Sequence, residues 1–210
     1  MVKADKQIEA ASYKETYQTI INTAQRLFME LGYRAVSTRQ IAQFCGVTQP
    51  AIYHYFKNKQ TLYVAVIQQT LHHTESDLKA ILGKFPTFQE RLTQIAIYMM
   101  IHFEMDLEQM FHDISHELGP DNQQLIHQRW IESFFMPIVT MINDGILNEE
   151  IKNLESLNTN STELAYLILN VIKANLQTEI TEALTQEERK IIAEKKAKLM
   201  VAIFINGIRG

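Results

Sequence analysis

Cys45 is the only cysteine among 210 residues, so no internal disulfide can form and a reducing compartment suits the chain. At the end of a short helix it reads as a small buried hydrophobe. Glycine and proline are scarce, at seven and four, which argues against many tight turns. No segment sustains period-two alternation, so a β-rich fold is not expected. The longest apolar run, Ile95 to Ile101, falls far short of the ~20 residues of a membrane span. The opening stretch MVKADKQIEAASYKE has no apolar core of signal-peptide type. These absences predict an all-α, cytoplasmic protein with no membrane partner. Catalytic signatures are missing as well. There is no Gly-rich phosphate loop, no Gly-x-Ser-x-Gly, no His-Glu-x-x-His and no Cys/His pair in a sensible context. The chain is expected to be no enzyme and to hold no cofactor.

What is present is ordinary in bulk and uneven in distribution. Apolar residues make up 46 % and charged residues 21 %, as in globular proteins generally. The length allows one sizeable core or two small ones. Net charge is −4, but residues 1–60 carry eight Lys/Arg against four Asp/Glu, whereas residues 61–210 carry twelve against twenty. A basic first part and an acidic remainder suit a nucleic-acid contact confined to one end.

The basic part contains STRQIAQFCGVTQPAIYHYFKNK, Ser37 to Lys59. Ser37 can cap a helix, with Gln40 completing a capping box. Ile41 and Ala42 form its apolar face, and Phe44-Cys45 closes it. Gly46 suits the left-handed position that ends a helix, and Val47 plugs the angle to the next one. Thr48 caps that second helix, and Pro50 is tolerated in its first turn. Ile52 and Phe56, four apart, share its inward face. The pattern is a helix-turn-helix: one helix braces and the next is presented. Gln49, Pro50, Tyr53 and His54 fall on the outward side, where they can reach base edges or backbone in a major groove. Thr38, Arg39, Thr48, Tyr55, Lys57 and Lys59 are the phosphate-side candidates. The same pattern also fits a plain helical hairpin with an exposed tyrosine.

The longer stretch Ile20 to Ile67 resembles the DNA-binding domain of the TetR family of transcriptional regulators. The matching residues are Ala24, Leu27 and Phe28, the Gly32-Tyr33 break, Ser37-Thr38 before Ile41-Ala42, Gly46-Val47-Thr48, the Ile52-Tyr53-x-Tyr55-Phe56 helix, and Asn58-Lys59. The resemblance covers about a third of the chain. It implies a DNA-binding domain at 1–58 and an effector-binding and dimerisation domain at 59–210. It also implies a homodimer, a small-molecule effector, and a repressor that its ligand releases from DNA.

Along the chain, residues 1–12 read as a polar tail, in which Lys3 and Lys6 are available to DNA. A helix is expected from Tyr13 to Leu31, ended by Gly32. Asn58 should cap a long helix reaching about Leu82. His72-His73 within it point ~100° apart, a poor chelating pair. Thr87, with Glu90, should start the next helix, which is apolar nearly all round. A short acidic helix spans about Asp106 to Leu118. After the turn at Gly119-Pro120-Asp121 a long helix should run to Leu147, kinked at Pro137. Residues 148–160 read as a polar connector. Two last helices are expected at about Ser161 to Ala183 and Gln186 to Ile208.

Met99, Met100, Phe103, Met110, Trp130, Phe134 and Met141 are the ligand-binding candidates, fit for a largely apolar effector; plain core packing competes for most of them. Leu164, Leu167, Ile168, Val171, Ile172, Leu199, Ile203 and Phe204 lie on wide apolar stripes, which mark a subunit interface when exposed. The resemblance implies that these two helices pair with their copies in a four-helix bundle. His112 and His116, at i,i+4 beside Asp113 and Glu117, have the spacing of a metal pair, but a solvated acidic face is the reading adopted, and no metal site is assigned. The expected function is a ligand-responsive DNA-binding regulator acting as a homodimer on a pseudo-palindromic operator. The competing expectation is a helical small-molecule or metal-binding protein that no longer reads an operator.

Overall fold

A computed structural model of the chain describes residues 2–102, 107–176 and 185–208, and no strand occurs among them. The protein is all-α. Its helices are α1 (Val2–Ala35), α2 (Thr38–Cys45), α3 (Gln49–Tyr55), α4 (Lys59–Lys84), α5 (Phe88–His102), α6 (Leu107–Glu117), α7 (Pro120–Trp130), α8 (Met136–Leu147), α9 (Ser161–Leu176) and α10 (Gln186–Ile208). Two compact units divide the chain. The first is Met1–Leu71 with Met105–Arg129; the second is His72–Glu104 with Trp130–Gly210. Packing thus draws its boundaries elsewhere than at residue 58.

In the first unit α1 begins at Val2, eleven residues before the expected start at Tyr13. No Gly or Pro interrupts 2–31, and the leading residues include Ala, Lys, Gln and Glu, all good helix formers. The helical path breaks at Gly32, with φ 79 and ψ 159, a conformation that glycine adopts without steric cost. Ile20, Ile21, Ala24, Leu27 and Phe28 of α1 meet Ile41 and Ala42 of α2, Ile52 of α3, and Leu62, Val66 and Ile67 of α4. Ile20, Ile41 and Leu62 are wholly buried; each contributes roughly 1.5–3 kcal/mol by leaving water. Ile114 and Leu118 from the α6 region and Ile126 of α7 join the same core.

The second unit is built around α5, which packs on α8, α9 and α10. Its N-terminus carries the expected capping box: Glu90 N–H donates to Thr87 Oγ1 at 3.2 Å, and Thr87 N–H donates to Glu90 Oε2 at 3.2 Å. Phe88, Leu92, Ile95, Ala96, Met99 and Met100 are all buried. The long helix expected up to Leu147 is not continuous. A π-helical turn at Ile131–Phe135 separates α7 from α8, with Met136 N–H bonding to Ile131 O. Pro137 accounts for this, since it has no N–H for the Ser133 carbonyl and its ring crowds that oxygen. The connector at 148–160 is less polar than expected: Ile151 and Leu154 are buried, the latter opening a 3₁₀ turn at Leu154–Leu157. α9 is described to Leu176, so the expected continuation to Ala183 lies outside the described residues.

Candidate nucleic-acid interface

Local capping sets the geometry of α2 and α3. Ser37 N–H donates to Gln40 Oε1 at 2.8 Å, and Gln40 N–H donates to Ser37 Oγ at 3.2 Å. Gly46 ends α2 in the left-handed region at φ 68 and ψ 24. Its N–H reaches Gln43 O at 3.2 Å, and the Val47 N–H reaches Ala42 O at 3.0 Å. Thr48 Oγ1 then accepts the Ala51 N–H at 3.3 Å, starting α3. Ile52 and Phe56 are buried, which fixes the rotation of α3. Its other side is thereby presented: Pro50, Tyr53 and His54 are exposed, and Gln49 is half-buried. The braced-and-presented pair read from the sequence is therefore formed.

The phosphate-side candidates fare differently from one another. Arg39, Thr48 and Lys57 are exposed. Thr38 is not: it is only 6 % exposed. Its Oγ1 accepts a Gln49 Nε2–H bond at 3.0 Å and lies 3.1 Å from the Tyr53 hydroxyl. Tyr55 is half-buried against the core, its ring 4.5 Å from that of Tyr13. Lys59 holds its ammonium 4.1 Å from the centre of the Tyr33 ring. Burial there pushes its pKa below the ordinary lysine value, against the pull of Glu117 and Asp113. These three candidates differ from the exposed ones in one way: a tertiary partner packs against the polar or aromatic group.

Tyr13 and Tyr17 belong with this region, although the sequence reading passed over them. Tyr13 lies edge-on to His54 at 6.1 Å, and Tyr17 packs on Phe56 at 5.2 Å. The signal was available, because positions 13, 17, 20 and 24 continue one helical stripe. Phe44 and Cys45 close α2 as expected, and Phe44 is 60 % exposed, with the Arg26 guanidinium 5.3 Å from its ring centre.

The ligand-binding candidates do not gather in one place. Met99, Met100, Phe134 and Met141 are buried in the core of the second unit. Trp130 is half-buried beside them, stacked on Phe135 at 5.4 Å. Met110 packs instead against the core of the first unit. Phe103 lies outside the described residues. Among the interface candidates, Leu164, Ile168 and Ile172 turn into the core of the second unit. Leu167, Leu199 and Ile203 are 52 %, 62 % and 67 % exposed; Val171 and Phe204 are half-buried. The His112 and His116 rings stack at 4.1 Å, with His116 Nδ1 2.8 Å from His112 O. No group of three or more potential ligands is arranged for a metal among the described residues. No described helix is long and apolar enough to cross a membrane.

Comparison with known proteins agrees with this geometry. The family model of bacterial regulatory proteins, tetR family, matches residues 20–66. The Transposon Tn10 TetC protein of Escherichia coli is 43 % identical over 67 residues, which are 32 % of this chain and 34 % of that protein. The HTH-type transcriptional regulator TtgW of Pseudomonas putida, itself uncharacterized, is 30 % identical over 124 residues, covering 59 % of this chain and 90 % of that protein. Among solved structures, FadR from Bacillus subtilis in complex with stearoyl-CoA aligns with a TM-score of 0.68 at 18 % identity, covering 89 % of this chain and 98 % of that one. AibR in complex with isovaleryl coenzyme A and operator DNA aligns at 0.63 and 19 %, covering 86 % and 97 %. An intact helix-turn-helix, the family match that spans it and a relative covered over nine-tenths of its length all say the same thing: the chain belongs to the TetR family of helix-turn-helix transcriptional regulators.

Proposed function

We propose that this protein is a repressor that binds a pseudo-palindromic operator as a homodimer and leaves it when a small molecule binds. One observation supports the DNA-reading step above all others. The α3 face carrying Pro50, Tyr53 and His54 is exposed while Ile52 and Phe56 pin the helix from behind. Function then divides at residue 58, with 1–58 reading DNA and 59–210 binding effector and partner. Two-fold symmetry would set the two recognition helices one DNA turn apart, ~34–36 Å, or slightly more.

The second copy would seat on Leu167, Val171, Leu199, Ile203 and Phe204. The effector would be largely apolar and act among Met99, Met100, Trp130, Phe134 and Met141. Two proteins of like fold hold acyl-coenzyme A thioesters, which puts that class first in a ligand panel. Ligand release requires the effector to prefer the non-binding form by on the order of 5 kcal/mol for a near-complete switch. The working compartment would be the cytoplasm.

The test is fluorescence anisotropy against the DNA upstream of the protein's own gene, and against duplexes selected from a random library. Scrambled DNA runs alongside, at two salt concentrations. Specific binding that weakens steeply with salt is expected. Equal weak binding to every duplex, with no sequence enriched by selection, would overturn the proposal.

A further inference from the structure

Given that α3 reads DNA as proposed above, we propose that Thr38 is a positioning residue that holds Gln49 in place to read a base, and not a phosphate contact. Thr38 opens α2 but is turned inward and nearly closed to solvent. A hydroxyl so placed is out of reach of a backbone phosphate. It sits instead between the two side chains best placed to touch bases: Gln49 Nε2 donates to its oxygen at 3.0 Å, and the Tyr53 hydroxyl is 3.1 Å away.

Hydrogen-bond accounting shows what the cluster holds. A threonine hydroxyl has one proton to give and two lone pairs to receive. Its oxygen takes one Gln49 N–H. The Tyr53 hydroxyl meets the same oxygen, and either of the two can donate. A hydroxyl so engaged holds the end of the Gln49 side chain at one place on the α3 face, and the polar groups of the amide that do not meet Thr38 point to DNA. Thr38 therefore fixes which base position Gln49 reaches while touching no nucleotide itself.

Thr38→Val keeps the shape and removes the hydroxyl. An operator is first selected from random duplex DNA with the wild-type protein, and each half-site position is then varied. Thr38→Val should lower the base preference at one position per half-site by roughly 5- to 150-fold, the discrimination carried by one good side-chain–base pair. Binding to non-specific duplex should not change. Thr38→Ser should keep the preference. In a Gln49→Ala background Thr38→Val should add nothing. Should Thr38→Val fail to fold by circular dichroism, Thr38→Ala is read in the same assay. An unchanged base preference in the hydroxyl-less variant overturns the proposal. So does an equal loss on all sequences with a shallower salt dependence, the behaviour of a phosphate contact. A wild-type protein that selects no sequence fails one step earlier and removes the DNA-reading itself.

Discussion

Asp113 accepts the backbone N–H of Tyr33 at 3.0 Å, joining α6 to the start of the helix-turn-helix across 80 residues of sequence. Gly32 breaks the helical path one residue before this amide, and the carboxylate supplies the acceptor. Asp113 is only 2 % exposed, so an amide left without it would be stranded away from water. Asp113→Ala should cost about 1–3 kcal/mol. Asp113→Asn, whose carbonyl can still accept, should cost less. Urea unfolding checks both, and an unmoved midpoint for Asp113→Ala would refute the bond's importance. The neighbouring Arg34–Glu117 pair is shorter, at 2.6 Å, but Arg34 is largely exposed; Arg34→Ala should cost under about 1 kcal/mol.

Alkaline pH should unfold the protein. Burial raises the pKa of Tyr33 and Tyr63 above 10.0, reinforced at Tyr33 by Glu117 and Asp113 and at Tyr63 by Asp113 and Tyr33. Tyr98 is pushed up to about 12, mainly by burial. In the unfolded chain each loses its proton near pH 10. The folded state therefore binds more protons above that point. The stability these groups confer is complete below pH 10 and declines as pH rises from there. Absorbance of tyrosinate should show three of the eight tyrosines ionising only as helicity is lost. Simultaneous titration of all eight with the helices intact would contradict this.

Tyr53→Ala should abolish operator binding while thermal unfolding and dimerisation remain as they were, because nearly half of the side chain faces solvent. Tyr53→Phe removes only the hydroxyl that meets Thr38 and should lose less. Unchanged operator affinity in Tyr53→Ala would mean that another face of the first unit reads DNA.

A charge on the exposed side of α9 or α10 should prevent the proposed dimer from forming. Leu167→Glu and Ile203→Glu place a carboxylate on exposed positions, so neither disturbs the core of the chain. Sedimentation should give monomers for both. Dimers surviving in the double variant would put the interface elsewhere. Ile172→Glu is a poor probe by contrast, since that side chain is wholly buried and the protomer itself would suffer.

Much of the architecture was legible because it rests on near neighbours in sequence. Ser37 with Gln40, Thr48 with Ala51, and Thr87 with Glu90 are bonds spanning three residues. Gly46 is demanded by one backbone angle. Ile52 and Phe56 follow from the pitch of a helix. The start of α1 at Val2 differs from the expected tail at 1–12 because those residues, though polar, have high helix propensity.

The candidate site was legible only in outline. Helical phase told that Gln49, Tyr53 and His54 share the outward side of α3. It could not tell that Thr38 is closed off beneath them, that Tyr55 packs on Tyr13, or that Lys59 lies over Tyr33. Nor could it divide the stripe of α9 into Ile168 for the core and Leu167 for the surface. The amino-acid sequence alone determined where helices begin, turn and end, because caps and periodicity act over three to seven residues. Only the tertiary structure decided which polar groups remain available to a partner, because a hydroxyl, an ammonium or a ring is committed by whatever packs against it, and that neighbour arrives from anywhere in the chain.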